Sequence, residues 1–378
     1  MGGTSLHISD YLYCLLFVPY RIETVAGAHS DRRIVFVVAH AHQSARNGAW
    51  PNGANLVCAC LSLCVCMVFH GDLERSKPDK QGGTGFYLTI ASGGAAGSIL
   101  AGLISPMVFK TTFEFSIVVL AALYYVVATG PGFNSKRVLR VFVIAALVLA
   151  YASHETSLDG QTIARERSFY GTYAVRDVDG VRRLVAGTYV HGEQFLDEAK
   201  ERIPIAYYHK ETGVGMLFEL IPVSRVALVG LGVGSLVEYG NASTQFDIFE
   251  LDGAVVRLAR EYFSVLSDTP SQKTYVIGDG RLGLQRSAGN YDLIVMDAFA
   301  SGSIPTHLVT VEAIEEAFHK LAEQGAIAHH ISNQNVDLLP VLSAIAAELN
   351  VAIRIHESIS NDAMYMYPAR WFVLTRSS

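Results

Sequence analysis

The sequence predicts an α/β chain. A doubly wound, mostly parallel sheet fills the second half, a small β-rich lid precedes it, and a helical membrane region takes up most of the first half. Three observations predict this. From Arg225 onward, short apolar strands alternate with segments of helical period. Between Asn55 and Ser153, four long runs are nearly free of charge. The first strand of the alternating region runs straight into "GLGVGS", Gly230 to Ser235, and carboxylates end the strands that follow.

A chain of 378 residues exceeds what one hydrophobic core usually serves, so two parts are expected. Their charges differ. From Ser168 onward there are 25 Asp and Glu against 16 Lys and Arg, whereas residues 1–167 hold 10 against 13. An acidic second half argues against binding a phosphate backbone, which needs clustered positive charge, so no nucleic-acid partner is expected. It suits a cationic substrate.

Residues 1–54 stay unassigned: "YLYCLLFVPY" and "IVFVVAHA" are too short to span a bilayer, and the start lacks the basic segment of a signal peptide. A helix crossing about 30 Å of hydrocarbon needs roughly 20 apolar residues. Asn55–Phe69, Phe86–Phe109, Phe113–Thr129 and Val138–Ser153 read as four spans within residues 55–153, the second complete in length and the others slightly short. Membrane lipid is therefore an expected partner. Gly93, Gly97 and Ala101 form one small-residue row in the second run, where helix backbones can approach closely. All five cysteines lie before residue 155. In "CACLSLCVC", Cys58 to Cys66, the spacing lacks the paired C-x-x-C of zinc sites, so these read as small apolar residues of a membrane helix. No metal and no disulfide framework is expected. With these spans, Arg75, Lys77, Lys80, Lys136, Arg137 and Arg140 share one face of the membrane. Lys110, Arg165 and Arg167 share the other with the second domain. The positive-inside rule would put that domain outside the cytoplasm. The nucleotide chemistry below argues for the cytoplasm, and a multi-pass protein with a cytoplasmic domain is the expectation.

Residues 168–218 form the lid. "FYGTYAVRDVDGVRRLVAGTYVHGEQF" predicts a β-hairpin turning at Asp179-Gly180, with Tyr, Val and Leu alternating on either side. Residues 219–378 form the Rossmann-like domain. Its expected strands are "RVALVG", "FDIFEL", "TYVIG", "YDLIVMDA", "GAIAHHIS", "VAIRIHES" and "RWFVLT". Helices are expected at Ser235 to Tyr239, Ala254 to Phe263, Val311 to Glu323 and Leu338 to Leu349. Strand followed by helix at this spacing means a sheet covered on both faces. Ligands in such sheets bind beyond the carboxyl ends of the strands, where Gly230, Gly232, Glu250, Asp252, Asp279 and Asp297 all fall.

Gly230, Gly232 and Gly234 follow a strand, where glycines let the backbone pass close to a ligand. A carboxylate about twenty residues on, here Glu250 with Asp252, hydrogen-bonds ribose hydroxyls. Dinucleotide and S-adenosylmethionine enzymes share that device. "VIGDGR", Val276 to Arg281, separates them: an aspartate after the third strand, Asp279 with Gly280 behind it, can accept from an adenine amine, a contact typical of the adenosylmethionine class.

"GLGVGS", "FELD", "GDGR", "YDLIVMDAF", "SIPTHLVTVEA" and "GAIAHHISN", in that order, resemble the spermidine synthase family, and "FYLTIASGGAAGS" through "FKTTFEF" is similar to its membrane-fused branch. The resemblance implies a class I methyltransferase-like sheet of seven strands. It also implies transfer of the aminopropyl group of decarboxylated S-adenosylmethionine to a diamine such as putrescine, releasing methylthioadenosine. It gives Glu250 the ribose, Asp279 the adenine amine, and Gly230 to Gly234 the cofactor backbone. Asp297 becomes the catalytic acid, since a cationic amine must lose a proton before it attacks. Gln194 and Tyr208 match positions lining the amine channel, and His191 stands where soluble members often carry an acid. Family members are often dimers. This sequence departs from the family in the catalytic loop: "DAFASGSIP" has Ala300 and Gly302 where further acids are usual, so one carboxylate remains of two. His329 and His330 read as packed under the sheet, and His307 as a loop residue near the site. Two alternatives stand beside the aminopropyltransferase: a methyltransferase using intact S-adenosylmethionine, and a non-catalytic membrane sensor or transport protein binding adenosyl nucleotide or polyamine.

Overall fold

Alternating apolar residues between Thr162 and Phe195 build an antiparallel meander, whose strands are β1 (Thr162–Arg167), β2 (Thr172–Val178), β3 (Val181–Ala186) and β4 (Tyr189–Phe195), paired in that order. The computed structural model describes residues 53–78, 83–129, 141, 145, 161–187, 189–299, 304–332 and 336–377. The chain divides into two compact units, Met1–Ser105 with Thr112–Thr156, and Pro106–Thr111 with Ser157–Ser378. The expected hairpin is β2 and β3, turning at Asp179 and Gly180, both at positive φ. Its two further strands include β1, upstream of residue 168. That strand ends in charged Arg165, Glu166 and Arg167, which hides its β character in the sequence.

The second sheet has seven strands: β5 (Arg225–Val229), β6 (Gln245–Glu250), β7 (Gln272–Ile277), β8 (Tyr291–Met296), β9 (Leu321–His330), β10 (Val351–Ser358) and β11 (Ala369–Arg376). Their spatial order is β10-β11-β9-β8-β5-β6-β7. β5 to β9 are mutually parallel, while β11 runs antiparallel between β9 and β10. This is the mixed sheet of the class I methyltransferase-like fold. The helices are α4 (Gly213–Leu220), α5 (Gly253–Tyr262), α6 (Val265–Asp268), α7 (Gly280–Arg286), α8 (Val311–Lys320) and α9 (Leu339–Glu348), and Ser235–Tyr239 forms a 3-10 turn. α8 stops at Lys320, short of the expected Glu323. Leu321 already pairs with Tyr291, and the register then slips so that Leu293 meets Ala326.

Successive strand residues point to opposite faces, and the core divides accordingly. Val226, Leu228, Ile248, Val295, Ala328 and Trp371 pack on one face with Tyr173 and Leu184 of the lid. Ala227, Val229, Phe249, Ile294, Ile327 and Phe372 pack on the other with α8 and α9. Burial on both faces explains why the central strands read as unbroken apolar runs, whereas the edge strands β7 and β10 are largely exposed.

The first unit holds α1 (Gly53–Arg75), most of α2 (Gly83–Val108) and α3 (Phe113–Thr129). Tyr125 of α3 donates to Asp72 of α1 at 2.9 Å. Leu100–Ile104 of α2 is a π turn just before Pro106, which has no amide to return to the carbonyl four residues back. Among the described residues, one helix, Gly83–Val108, is long and apolar enough to cross a membrane. The four expected spans thus reduce to one by that measure: Asn55–Phe69 and Phe113–Thr129 fall within helices, and Val138–Ser153 lies outside the described residues save 141 and 145. A Cβ added at Gly93 or Gly97 would meet nothing within 4 Å, so this small-residue row has no packing partner among the described residues. Cys60, Cys64 and Cys66 are free thiols.

Candidate active site

The turn after β5 is held by its glycines. Gly230, Gly232 and Gly234 all have positive φ, which side-chain-bearing residues rarely adopt. Each also packs against protein: a Cβ at Gly230 would overlap the Asp297 carbonyl, one at Gly232 the His191 carbonyl, and one at Gly234 the Leu266 side chain. The glycines therefore bring three chain segments together at one rim.

Glu250 ends β6 and is buried. Its Oε2 accepts from the amide of Leu231 in the glycine turn at 3.0 Å, and its Oε1 from the amide of Asp252 at 2.9 Å. Burial pushes its pKa up, and the amides oppose that shift. Asp252 differs. Its side chain caps α5 by accepting from the Ala254 amide at 2.9 Å, and its other oxygen accepts from the hydroxyl of Ser168. Tyr173 of β2 also reaches it; burial and this carboxylate push the phenol's pKa well up. Asp252 is thus committed to fastening the lid, not open beside Glu250.

Asp279 caps α7 through the Leu282 amide at 2.9 Å, and its Oδ2 lies 3.0 Å from Nε2 of His307. Gly280 lets α7 press on Val229 of β5. Arg281 fixes the loop carrying His307 by donating to the His307 carbonyl at 3.1 Å and to both oxygens of Glu316. A cleft of about 310 Å³ runs beside Asp279, lined also by Val276, Ile277, Gly278 and Leu282; Glu250 and Asp297 are not on its lining.

Asp297 follows β8, and its side chain is 8% exposed. Oδ2 accepts from the Tyr208 hydroxyl and Oδ1 faces Nδ1 of His330, both at 2.7 Å. Tyr208 is placed by the segment behind it: Ala206, at positive φ, exchanges hydrogen bonds with Tyr365 and Tyr367, and Tyr239 donates to the Tyr208 carbonyl at 2.6 Å. Burial drives the Tyr208 pKa far up, so the hydroxyl stays a donor. His191 of β4 is half-buried, and desolvation pushes its pKa down against the pull of Asp297. Its Nε2 has no hydrogen-bond partner.

The register sets Glu250, Asp279 and Asp297 at one rim, since Val229 pairs with both Phe249 and Met296, and Glu250 with Ile277. Tyr208 and His191 join Asp297 there. Gln194 does not: its amide donates to Ser264 Oγ at 2.6 Å and accepts from the Ser264 amide at 3.1 Å, tying β4 to the start of α6 with both ends engaged. Its buried position in the lid turns it inward. His330, a packing residue by its sequence pattern, is instead the partner of Asp297. The signal lies in β9 itself. β9 runs parallel beside β8, and the two histidines at its end alternate faces, so one of them must flank the residue after Met296. His329 takes the other face, fully buried. His307, in contact with Asp279, is the second partner that the sequence pattern does not disclose. Residues 300–303 and 333–335 lie outside the described residues. Among those described, no cluster of three or more His, Cys, Asp or Glu could hold a metal ion.

No family model matches the chain. A polyamine aminopropyltransferase from Vibrio vulnificus (strain CMCP6) is 34% identical over 199 residues, which cover 50% of this chain and 64% of that protein. An N-terminal histidine N-methyltransferase from Emericella nidulans is 29% identical over 190 residues, covering 44% of this chain and 33% of that protein. The chain therefore spans less than two thirds of either relative. Among solved structures, spermidine synthase in complex with the transition state analogue AdoDATO aligns at 18% identity with a TM-score of 0.47, covering 57% of this chain and 74% of that one. Spermidine synthase from Thermotoga maritima aligns at 17% identity with a TM-score of 0.43, covering 57% and 73%.

Proposed function

We propose that this chain, whose sequence kinship is with the spermidine synthase family, transfers the aminopropyl group of decarboxylated S-adenosylmethionine to a diamine such as putrescine and releases methylthioadenosine. The observation that carries this reading is Asp297: a buried carboxylate past the end of a central strand, held by two side chains from different elements. The residues fit such a ligand. Glu250, tied to the glycine turn through the Leu231 amide, stands at the rim where a ribose would lie, and three carboxylates at one rim suit a cationic sulfonium and a cationic amine. The sulfonium supplies the leaving group. Asp297 anchors the acceptor ammonium and takes one proton from it; the freed nitrogen forms a C–N bond as the C–S bond breaks, and the proton passes to solvent. Holding amine and acceptor carbon together contributes much of the remaining acceleration. We further read the chain as membrane-anchored through Gly83–Val108 and neighbouring helices, with the catalytic domain in the cytoplasm.

Product analysis tests the reaction. Purified protein incubated with decarboxylated S-adenosylmethionine and a panel of diamines is expected to yield methylthioadenosine, and Asp297→Asn to lose roughly 10²–10⁴ of the rate. The resemblance to a histidine N-methyltransferase favours a second reading, methyl transfer from intact S-adenosylmethionine. S-adenosylhomocysteine as product would establish that reading and remove the first. If methylthioadenosine binds but neither product forms above the level of Asp297→Asn, the chain is a binding protein.

A further inference from the structure

A carboxylate as buried as Asp297 is costly to keep charged unless donors face it. Among the described residues no lysine or arginine pairs with it. Its side-chain partners are the Tyr208 hydroxyl on Oδ2 and His330 on Oδ1. His330 is 4% exposed, and its orientation is over-determined. The imidazole stacks on Trp371 with centroids 4.5 Å apart and planes 9° from parallel, and Phe299 and Tyr207 close on it at 4.9 and 5.3 Å. Behind the ring, Nε2 lies 3.0 Å from Ser332 Oγ, which accepts from the Arg370 amide at 2.8 Å. One hydrogen spans the 2.7 Å between Nδ1 and Oδ1; a carboxylate that is to receive an ammonium cannot carry it, so the proposed chemistry puts it on Nδ1.

We propose that His330 is a positioning residue for the reaction: with Ser332 and Trp371 fixing its ring, its Nδ1–H holds the Asp297 carboxylate aimed at the incoming ammonium. The inference rests on the proposed aminopropyl or methyl transfer at this site and adds to it a residue that acts through the catalytic one. The titratable groups facing Asp297 are His191 from β4, Tyr207 and Tyr208 from the segment between β4 and α4, and His330 from β9. Of these, His330 and Tyr208 touch the carboxylate. Each carboxylate oxygen then keeps an acceptor site for the substrate.

The test compares His330→Phe, which keeps a ring on Trp371 and loses the donor, with His330→Asn, whose amide N–H falls near Nδ1. In His330→Phe the acid limb of kcat/KM for the amine is expected to move up by about one pH unit or more, with roughly tenfold or greater loss at neutral pH that recovers in base. His330→Asn should return the limb to its wild-type position. A uniform loss at every pH in both variants, with the limb unmoved, overturns the proposal and leaves a packing role. A second measurement does not depend on turnover: ¹⁵N-histidine NMR of the full chain, with His330 identified by the signal absent from His330→Phe. A protonated Nδ1 supports the proposal; an Nε2–H tautomer with bare Nδ1 overturns it. Should wild-type protein form neither transfer product, the function is refuted while the tautomer still judges the geometry.

Discussion

Glu250 and Asp252 stand two residues apart and serve different ends. The first receives backbone amides, among them that of Leu231 in the glycine turn; the second is consumed by a helix cap and two lid hydroxyls. Glu250→Gln is therefore expected to weaken methylthioadenosine binding by roughly tenfold or more, the cost of losing a hydrogen bond to a charged group, as isothermal titration would read. Asp252→Ala should instead appear in unfolding, with about 1 kcal/mol or more lost from the missing cap. If Asp252→Ala weakens nucleotide binding as much as Glu250→Gln, the cap assignment is wrong. The sequence pattern puts both carboxylates at a strand end and cannot divide them. The division depends on Ser168 and Tyr173, residues more than 75 positions upstream that no local pattern connects to Asp252. His307 is legible as a loop residue near the site, but its contact with Asp279 is not: only the loop pinned by Arg281 makes it.

At the scale of elements, the succession of strands and helices is legible because the central strands are buried on both faces and read as apolar runs between turn residues. The charged β1 and the irregular start of β9 are not, since pairing with β2 and β8 decides them and local preference does not. The glycine turn is legible as a turn, but the chain segments it draws together are not. Its left-handed residues let the β4, β8 and α6 regions approach, so a side chain there must displace backbone. Gly230→Ala is expected to cost more than about 1 kcal/mol from strain alone and to shift Asp297, lowering kcat. Gly180→Ala, where a Cβ meets nothing, shares the strained φ without the collision and should leave kcat near wild type. Equal kinetic losses in the two variants would mean that the close approach to Asp297 is irrelevant.

For the molecule as a whole, the buried histidines link folding to acidity. Burial lowers the pKa of His329 from 6.5 to about 4, and that of His191 in the same direction. As pH falls, the unfolded chain takes up each proton first. The stability that His329 contributes is full above 6.5 and drains away down to about 4, roughly 2 kcal/mol of it between pH 7 and pH 5. Urea titrations at those two pH values should show the loss, and His329→Leu should flatten it; a variant as acid-sensitive as wild type would assign the effect elsewhere. One consequence follows from the strand threaded backwards between β9 and β10. It carries Trp371 face to face with the imidazole that steadies Asp297. Imidazole quenches indole emission, and more so when charged, so Trp371 is an intrinsic lamp beside the proposed reaction centre. Its brightness should follow the arrival of an amine, giving a spectroscopic readout of substrate capture with no label attached.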